Sequence, residues 1–117
     1  MPADPEWEAF IRAGEDLGSD HFVKREYSLP DGRHVSYPAG DGPPPGEGVF
    51  IGLEDSHVNR ATGEWCGGWI GFANVVDSHP ESRHELVTAR PLTVRPSLAC
   101  RRCSSHGFIE NGAWREV

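Results

Sequence analysis

Cys100-Arg101-Arg102-Cys103-Ser104-Ser105-His106-Gly107-Phe108-Ile109-Glu110-Asn111-Gly112-Ala113-Trp114 is the stretch from which the fold of this 117-residue chain is best read. Its second half is a hairpin. Asn-Gly between two short apolar runs is the signal for a type I′ turn, because both central residues tolerate positive φ. In that register Ile109 lies opposite Trp114, a favourable aliphatic–aromatic cross-strand pair. Its first half sets two cysteines and a histidine three residues apart, a donor set that suits zinc. The sequence therefore predicts a zinc-knuckle-like C-terminal hairpin over residues 98–117, with Cys100, Cys103 and His106 as ligands and a structural role for the metal. A closed structural site needs a fourth ligand. Cys66 is the first choice, being the remaining thiol and followed by Gly67 and Gly68, which leave room for a metal. His79 and His84 come next, and His57, His21 and His34 are also available.

Outward from this stretch the chain continues to read as β. Hydrophobic residues make up 37% of it, with 14 glycines and 10 prolines, so the core is thin and the strands short. A small domain of this composition gains from a metal staple. Alternation at Val23, Arg25, Tyr27 and Leu29, a turn at Pro30-Asp31-Gly32, and renewed alternation at Val35 and Tyr37 predict a hairpin. Residues 39–48, rich in glycine and proline, predict an exposed loop, with the three prolines acting as a stiff connector. Val49–Leu53 and Trp65–Phe72 predict strands flanking a loop over 54–64, with Gly67, Gly68 and Gly71 marking a bulge or a close backbone contact. Leu86–Thr88 and Leu92–Val94 predict two further short strands or one strand broken by Pro91. The acidic residues 15, 16 and 20 read as solvated surface. Asp4 as N-cap, Pro5 at the first helical position, and Trp7, Phe10 and Ile11 on one face predict a helix over residues 5–13, its apolar stripe packed on the core. The fold class expected is mostly β (α+β). A single domain over residues 1–117 would comprise this N-terminal helix, a β body over 21–95, and the terminal knuckle and hairpin.

Charge and targeting narrow the function. No apolar run reaches the ~20 residues that span a bilayer, and the N-terminus lacks the pattern of a signal peptide. The expectation is a cytoplasmic or virion location, no membrane partner, and reduced thiols. Net charge is −7, with 12 acids against 4 bases in residues 1–59 and 6 against 7 in residues 60–117. That asymmetry favours a protein partner or self-association and disfavours nucleic acid. Trp65, Trp69 and Trp114 are the candidate contact residues, although a core position is the plainer reading for at least two of them. Arg95, Arg101 and Arg102 beside the knuckle would carry the alternative, a nucleic-acid-binding module. The acidic front half admits another, a DNA mimic.

Catalytic schemes find little support. His79-Pro80-Glu81 followed by Cys100-x-x-Cys103 echoes the signature of zinc deaminases, in which a glutamate shuttles protons beside a metal-bound water. Ala99 stands where that signature has proline, and a glycine-turn hairpin follows where it has a helix. A redox dithiol at Cys100 and Cys103 lacks the helix that would lower the first thiol's pKa. No nucleophile elbow, phosphate loop or H-E-x-x-H is present.

Leu92–Trp114 resembles the C-terminal signature of a group of small proteins encoded by actinobacteria and their bacteriophages. Those chains end in a pattern close to L-T-[VI]-x-P-S-L-x-C-x-x-C-x-x-H-G-[FW]-I-x-x-G-x-W, and Ser104 stands here where glycine is usual. The Arg-rich composition, with Lys24 the one lysine, is similar to what that source produces. The resemblance implies a phage or prophage origin and no activity. The function expected is a non-enzymatic, zinc-stabilised interaction or structural accessory protein that attaches to a virion or engages a host protein.

Overall fold

The computed structural model describes residues 5–40, 42–75 and 81–117; the expected N-cap Asp4 and ligand candidate His79 lie outside them. The helix α1 spans Pro5–Arg12, with Glu6 and Glu8 in its first turn and Arg12 in its last, where each complements the macrodipole. Arg12 also pairs with Glu8 one turn back at 3.0 Å. The expected apolar stripe is split. Ile11 is buried, whereas Trp7 and Phe10 are 53% and 55% exposed and stack on each other at 5.7 Å. Eight residues give the helix one anchoring turn, and Phe10 covers the ammonium of Lys24 on the sheet below instead of entering the core.

Five strands form the first sheet: β1 (Glu15–Gly18), β2 (His21–Ser28), β3 (His34–Tyr37), β4 (Val49–Val58) and β5 (Trp65–Gly71). β2 is its axis. β1 pairs with the first half of one edge of β2 and β3 with the second half, while β4 pairs with the whole opposite edge and β5 lies outside β4. The β2–β3 turn falls at Pro30-Asp31-Gly32 as read from sequence, with Gly32 at φ +86°. β4 runs five residues past Leu53, through Glu54, Asp55 and Ser56, which are weak strand formers held by partners on both sides. The expected bulge is not in β5, whose register with β4 is unbroken from Gly52↔Gly71 to Val58↔Trp65. It lies across β4 instead, where pairing with β2 shifts between Glu26 and Tyr27. Gly52 sits there because a Cβ would come within 2.5 Å of the Ile70 carbonyl oxygen.

β6 (Glu85–Ala89), β7 (Leu92–Ala99), β8 (His106–Glu110) and β9 (Ala113–Glu116) form a second antiparallel sheet in chain order. Asn111 and Gly112 take φ +50° and +76°, as a type I′ turn requires, and Ile109 faces Trp114. β6 and β7 are separate strands turning at Pro91, and β7 continues past Pro96 to Ala99.

The buried cluster lies between the sheets. Leu17, Val23, Leu53, Ile70 and Phe72 come from the first sheet and the residue that follows it; Leu92, Val94 and Ile109 come from the second. At its margin the buried Arg25 donates two hydrogen bonds to Glu15 (2.6 and 2.9 Å) and one to the Ala89 carbonyl (2.9 Å), tying the sheets together. Glu15, read as solvated from sequence, is therefore half of a partly buried ion pair with bidentate geometry. The chain is mostly β, with one short N-terminal helix and antiparallel sheets, as its sequence predicts.

Candidate metal centre

Residues directly opposite one another in a sheet share a face, so register decides which side chains meet. On the inward face of the first sheet, Arg25, Leu53 and Ile70 form one row across β2, β4 and β5; Val23, Asp55 and Gly68 form the next. The third row is His21, His57 and Cys66. One continuous face thus passes from aliphatic to metal-ligating residues along the strands. Against the ligating end comes the loop between β7 and β8. That loop is closed by hydrogen bonds from the Cys100 N–H to the Ser105 carbonyl (2.8 Å) and from the Ser104 N–H to the Cys100 carbonyl (3.0 Å). Ser104 takes the left-handed conformation at φ +59° that glycine would adopt more readily.

The result is a convergence of four donors. His57, Cys66, Cys100 and Cys103 place their ligand atoms within 4.8 Å of one another, and all three cysteines are free thiols. His57 and Cys66 are each 4% exposed, and Cys100 and Cys103 are half-buried. His57 Nε2 lies 3.2 Å from Cys103 Sγ, while its Nδ1 lies 2.8 Å from Asp55 Oδ2. With Nδ1 held by Asp55, Nε2 is the ring nitrogen that faces the thiols and would give up its proton to ligate an ion, the arrangement in which a carboxylate orients a ligating imidazole. The other Asp55 oxygen faces His21 Nδ1 at 3.5 Å. The His21 ring stacks on His57 at 4.8 Å and on Trp114 at 3.8 Å, so three strands hold the orientation of one ligand.

Electrostatics reflect the crowding. Burial, reinforced by the neighbouring thiols of Cys103 and Cys100, pushes Cys66 up to about 11. Burial also opposes the Cys100 thiolate, but hydrogen bonds from the backbone of Arg102 and Cys103 and from the side chains of Cys103 and His57 outweigh it and bring that thiol down to about 7. The hydrogen bond to Asp55 raises His57 to about 9 against the effect of burial. Asp55 itself is desolvated, yet the nearby imidazole of His21 and the hydrogen bond with His57 hold it below the ordinary carboxylate range. Three thiols packed this closely repel as they ionise, and a bound cation relieves that repulsion. The donor set fits a metal ion, and its four members suffice to close a four-coordinate site.

Three of the four donors, Cys66, Cys100 and Cys103, are residues the sequence singles out. The histidine gathered with them is His57 and not His106. His106 opens β8 on the face shared with Phe108 and Glu110, opposite Gly107 and Ile109, and its Nε2 lies 2.8 Å from Ser97 Oγ. Strand alternation turns it away from the thiols. His84 is also apart, its Nε2 3.4 Å from the Ser97 carbonyl, and His34 lies beside Glu26 at 3.3 Å. Asp55 was missed altogether. The usable signal was parity: Leu53, Asp55 and His57 alternate in phase once the strand is carried past residue 53. Cys100 and Cys103 lead into a strand, which separates them further from the deaminase pattern.

The expected contact residues are dispersed. Trp114 is half-buried against His21, and Trp65 packs edge-on to Phe22 on the outer face of the first sheet. Trp69 is 48% exposed and donates its indole N–H to Glu26. Arg95, Arg101 and Arg102 are exposed, the last two on the rim of a cleft of about 320 Å³ beside the four donors. No helix among the described residues is long and apolar enough to cross a membrane. No protein-family model, curated protein or solved structure matches the chain.

Proposed function

We propose that this protein is a non-enzymatic interaction module whose two sheets are stapled by a structural zinc ion held by His57, Cys66, Cys100 and Cys103. The observation that carries the reading is the convergence of three thiols and one imidazole from three separate parts of the fold. Zinc is the metal of choice because three soft thiolates with one imidazole match its structural sites. Four protein donors leave no position for a water or substrate, which favours a structural role over a catalytic one. The ion would supply cross-linking between β4, β5 and the β7–β8 loop, where the apolar core ends. Phage or prophage origin, with attachment to a virion or a host protein, extends the reading through the resemblance at Leu92–Trp114.

The test is metal content by mass spectrometry on the purified protein, with thermal melts before and after chelation. One zinc per chain and a large loss of stability on chelation is the expected outcome. A metal-free protein whose melt ignores the chelator would leave the thiols as buried or redox residues and end the proposal.

A further inference from the structure

β5 is the outermost strand of its sheet, and among the described residues no strand pairs with its free edge. An edge of this kind is a template for another chain, and proteins ordinarily guard it with lysine, proline or a bulge. β5 carries none of these: it reads Trp-Cys-Gly-Gly-Trp-Ile-Gly, and its pairing with β4 is regular. Gly67 and Gly68, both exposed, sit in the middle of this edge. Glycine inside a strand weakens it unless a turn, a bulge or a close neighbour requires it. Gly52 and Gly107 have such neighbours, since a Cβ at either would come within 3.0 Å of other atoms. A Cβ at Gly67 would meet only the Asp55 carbonyl oxygen at 3.7 Å, and one at Gly68 would meet nothing within 4 Å. No packed neighbour within the described fold requires these two glycines, and an approaching backbone from outside would.

Each face of the sheet carries a cleft at this same edge. On the inward face the cleft of about 320 Å³ reaches from Gly67 and Gly68 to His84, Arg101 and Arg102, and the Asp55 carboxylate at its base is already engaged by His57. On the outward face a groove of about 470 Å³ runs from the same two glycines to the exposed aromatic rings of Trp7, Phe10 and Trp69, with Lys24 and Glu54 on its floor. A strand added to β5 would send alternate side chains into the two clefts. One set would meet basic residues and the other aromatic surface.

We infer that the free edge of β5 is a docking site for an extended peptide of a partner protein, in which acidic residues alternate with bulky apolar ones. Charge complementarity with Arg101 and Arg102 selects the acidic set, and the rings of Trp7, Phe10 and Trp69 select the apolar set. Main-chain hydrogen bonds along Gly67 and Gly68 supply affinity without regard to sequence. The inference deepens the interaction-module reading by naming the kind of partner, and it uses the stapled position of the β7–β8 loop that carries the two arginines.

The probe is a fluorescein-labelled peptide of about ten residues with Glu and Val alternating, titrated by anisotropy against the zinc-loaded full chain. Binding with a Kd below about 100 μM is expected. A Lys/Val counterpart, or the Arg101→Glu/Arg102→Glu variant, should bind at least about tenfold more weakly. N-methylation of the amides on one edge of the peptide should weaken binding at least about tenfold too, a readout that leaves the protein unaltered. No binding up to about 1 mM, equal binding of the Lys/Val peptide, or indifference to N-methylation would each overturn the inference. So would a dimer in sedimentation that dissociates on Gly68→Pro, which would assign the edge to a second copy. Metal content read on the same sample separates the two proposals: peptide binding by a metal-free sample defeats only the zinc reading, and zinc-loaded protein that ignores the peptide defeats only this one.

Discussion

The two ends of the space between the sheets are built from the same strands and the same inward face, yet different physics holds them. At one end Val23, Leu53, Ile70 and Phe72 meet Leu92, Val94 and Ile109, a dry cluster in which Leu53, Phe72 and Val94 are wholly buried. Two residues along the strands, aliphatic side chains give way to His21, Asp55, His57 and Cys66. The first end is stabilised in proportion to apolar area removed from water, and tolerates change if volume is kept. The second has almost no apolar area to bury and depends on directional contacts among polar groups. A chain with 37% hydrophobic residues lacks the material to make both ends alike. Where the aliphatic supply stops, the strands carry instead a cluster of donors that could hold a metal ion.

That contrast can be broken most forcefully at the donors. Chelation of the loaded protein, or Cys66→Ser, should lower unfolding free energy by about 5 kcal/mol or more, since structural zinc contributes ~10–16 kcal/mol in small peptides. Urea melts with and without chelator read this directly, and a metal-independent melt for the natural sequence would make the two ends energetically equivalent. At the aliphatic end, Leu53→Ala should cost about 2–5 kcal/mol through lost transfer energy and a cavity. Its cost should be the same with metal and without, and a difference above about 0.5 kcal/mol would show that the ends are coupled.

Acidity sharpens the distinction because the sign reverses with metal. In the metal-free protein the raised pKa of His57, about 9, means that its ion pair with Asp55 contributes fully below the ordinary value of 6.5 and is lost as pH rises through about 9. Metal binding runs the other way. Cys66 at about 11 and His57 at about 9 both surrender protons on coordination near neutrality, and Cys100 at about 7 surrenders part of one. With at least two protons released per ion, affinity rises at least about a hundredfold per pH unit. Competition with a colorimetric chelator between pH 6 and 8 should therefore show affinity climbing steeply, while urea melts of the metal-free protein show stability falling only slightly, because the Cys100 thiolate, favoured by folding, gains over the same window in which the His57 pair loses. Smaller effects separate ligand from bystander. Asp55→Asn should weaken metal binding about 10–100-fold by disturbing the orientation of His57. His106→Ala should leave metal content unchanged and shift stability by no more than about 1 kcal/mol, the worth of its contact with Ser97; loss of the ion from that variant would restore His106 as a ligand.

Much of this was legible in local sequence. Turn chemistry at Pro30-Asp31-Gly32 and Asn111-Gly112 located two hairpins, and Asn-Gly fixed the register that sets Ile109 against Trp114. The three cysteines stood out as donors because thiols are few here. His57 was harder to choose for a physical reason: its claim rests on lying opposite Cys66 across a strand pair, a relation that appears only when β4 is extended through residues of low strand propensity. His106 sat at attractive spacing, but spacing along the chain carries no information about which face of β8 it occupies. β1 was invisible because its four residues are mostly polar and its strand character comes from β2 beside it. Trp7 and Phe10 had helical period without a sheet wide enough to take them in.

The donors also have a history along the chain. Cys100 and Cys103 are near neighbours, whereas His57 stands 46 positions before Cys103. Two thiols in one short turn can grip an ion while the rest of the chain is still unfolded, because closing so small a loop takes tens of nanoseconds. Bringing in the β4–β5 hairpin requires a far longer loop to close, and topologies with such distant contacts fold slowly. We expect the ion to be captured first by the terminal knuckle and to draw the hairpin to it afterwards. Stopped-flow refolding should then accelerate at stoichiometric metal and slow again in excess, when a second ion occupies the donors of the hairpin before the two halves meet.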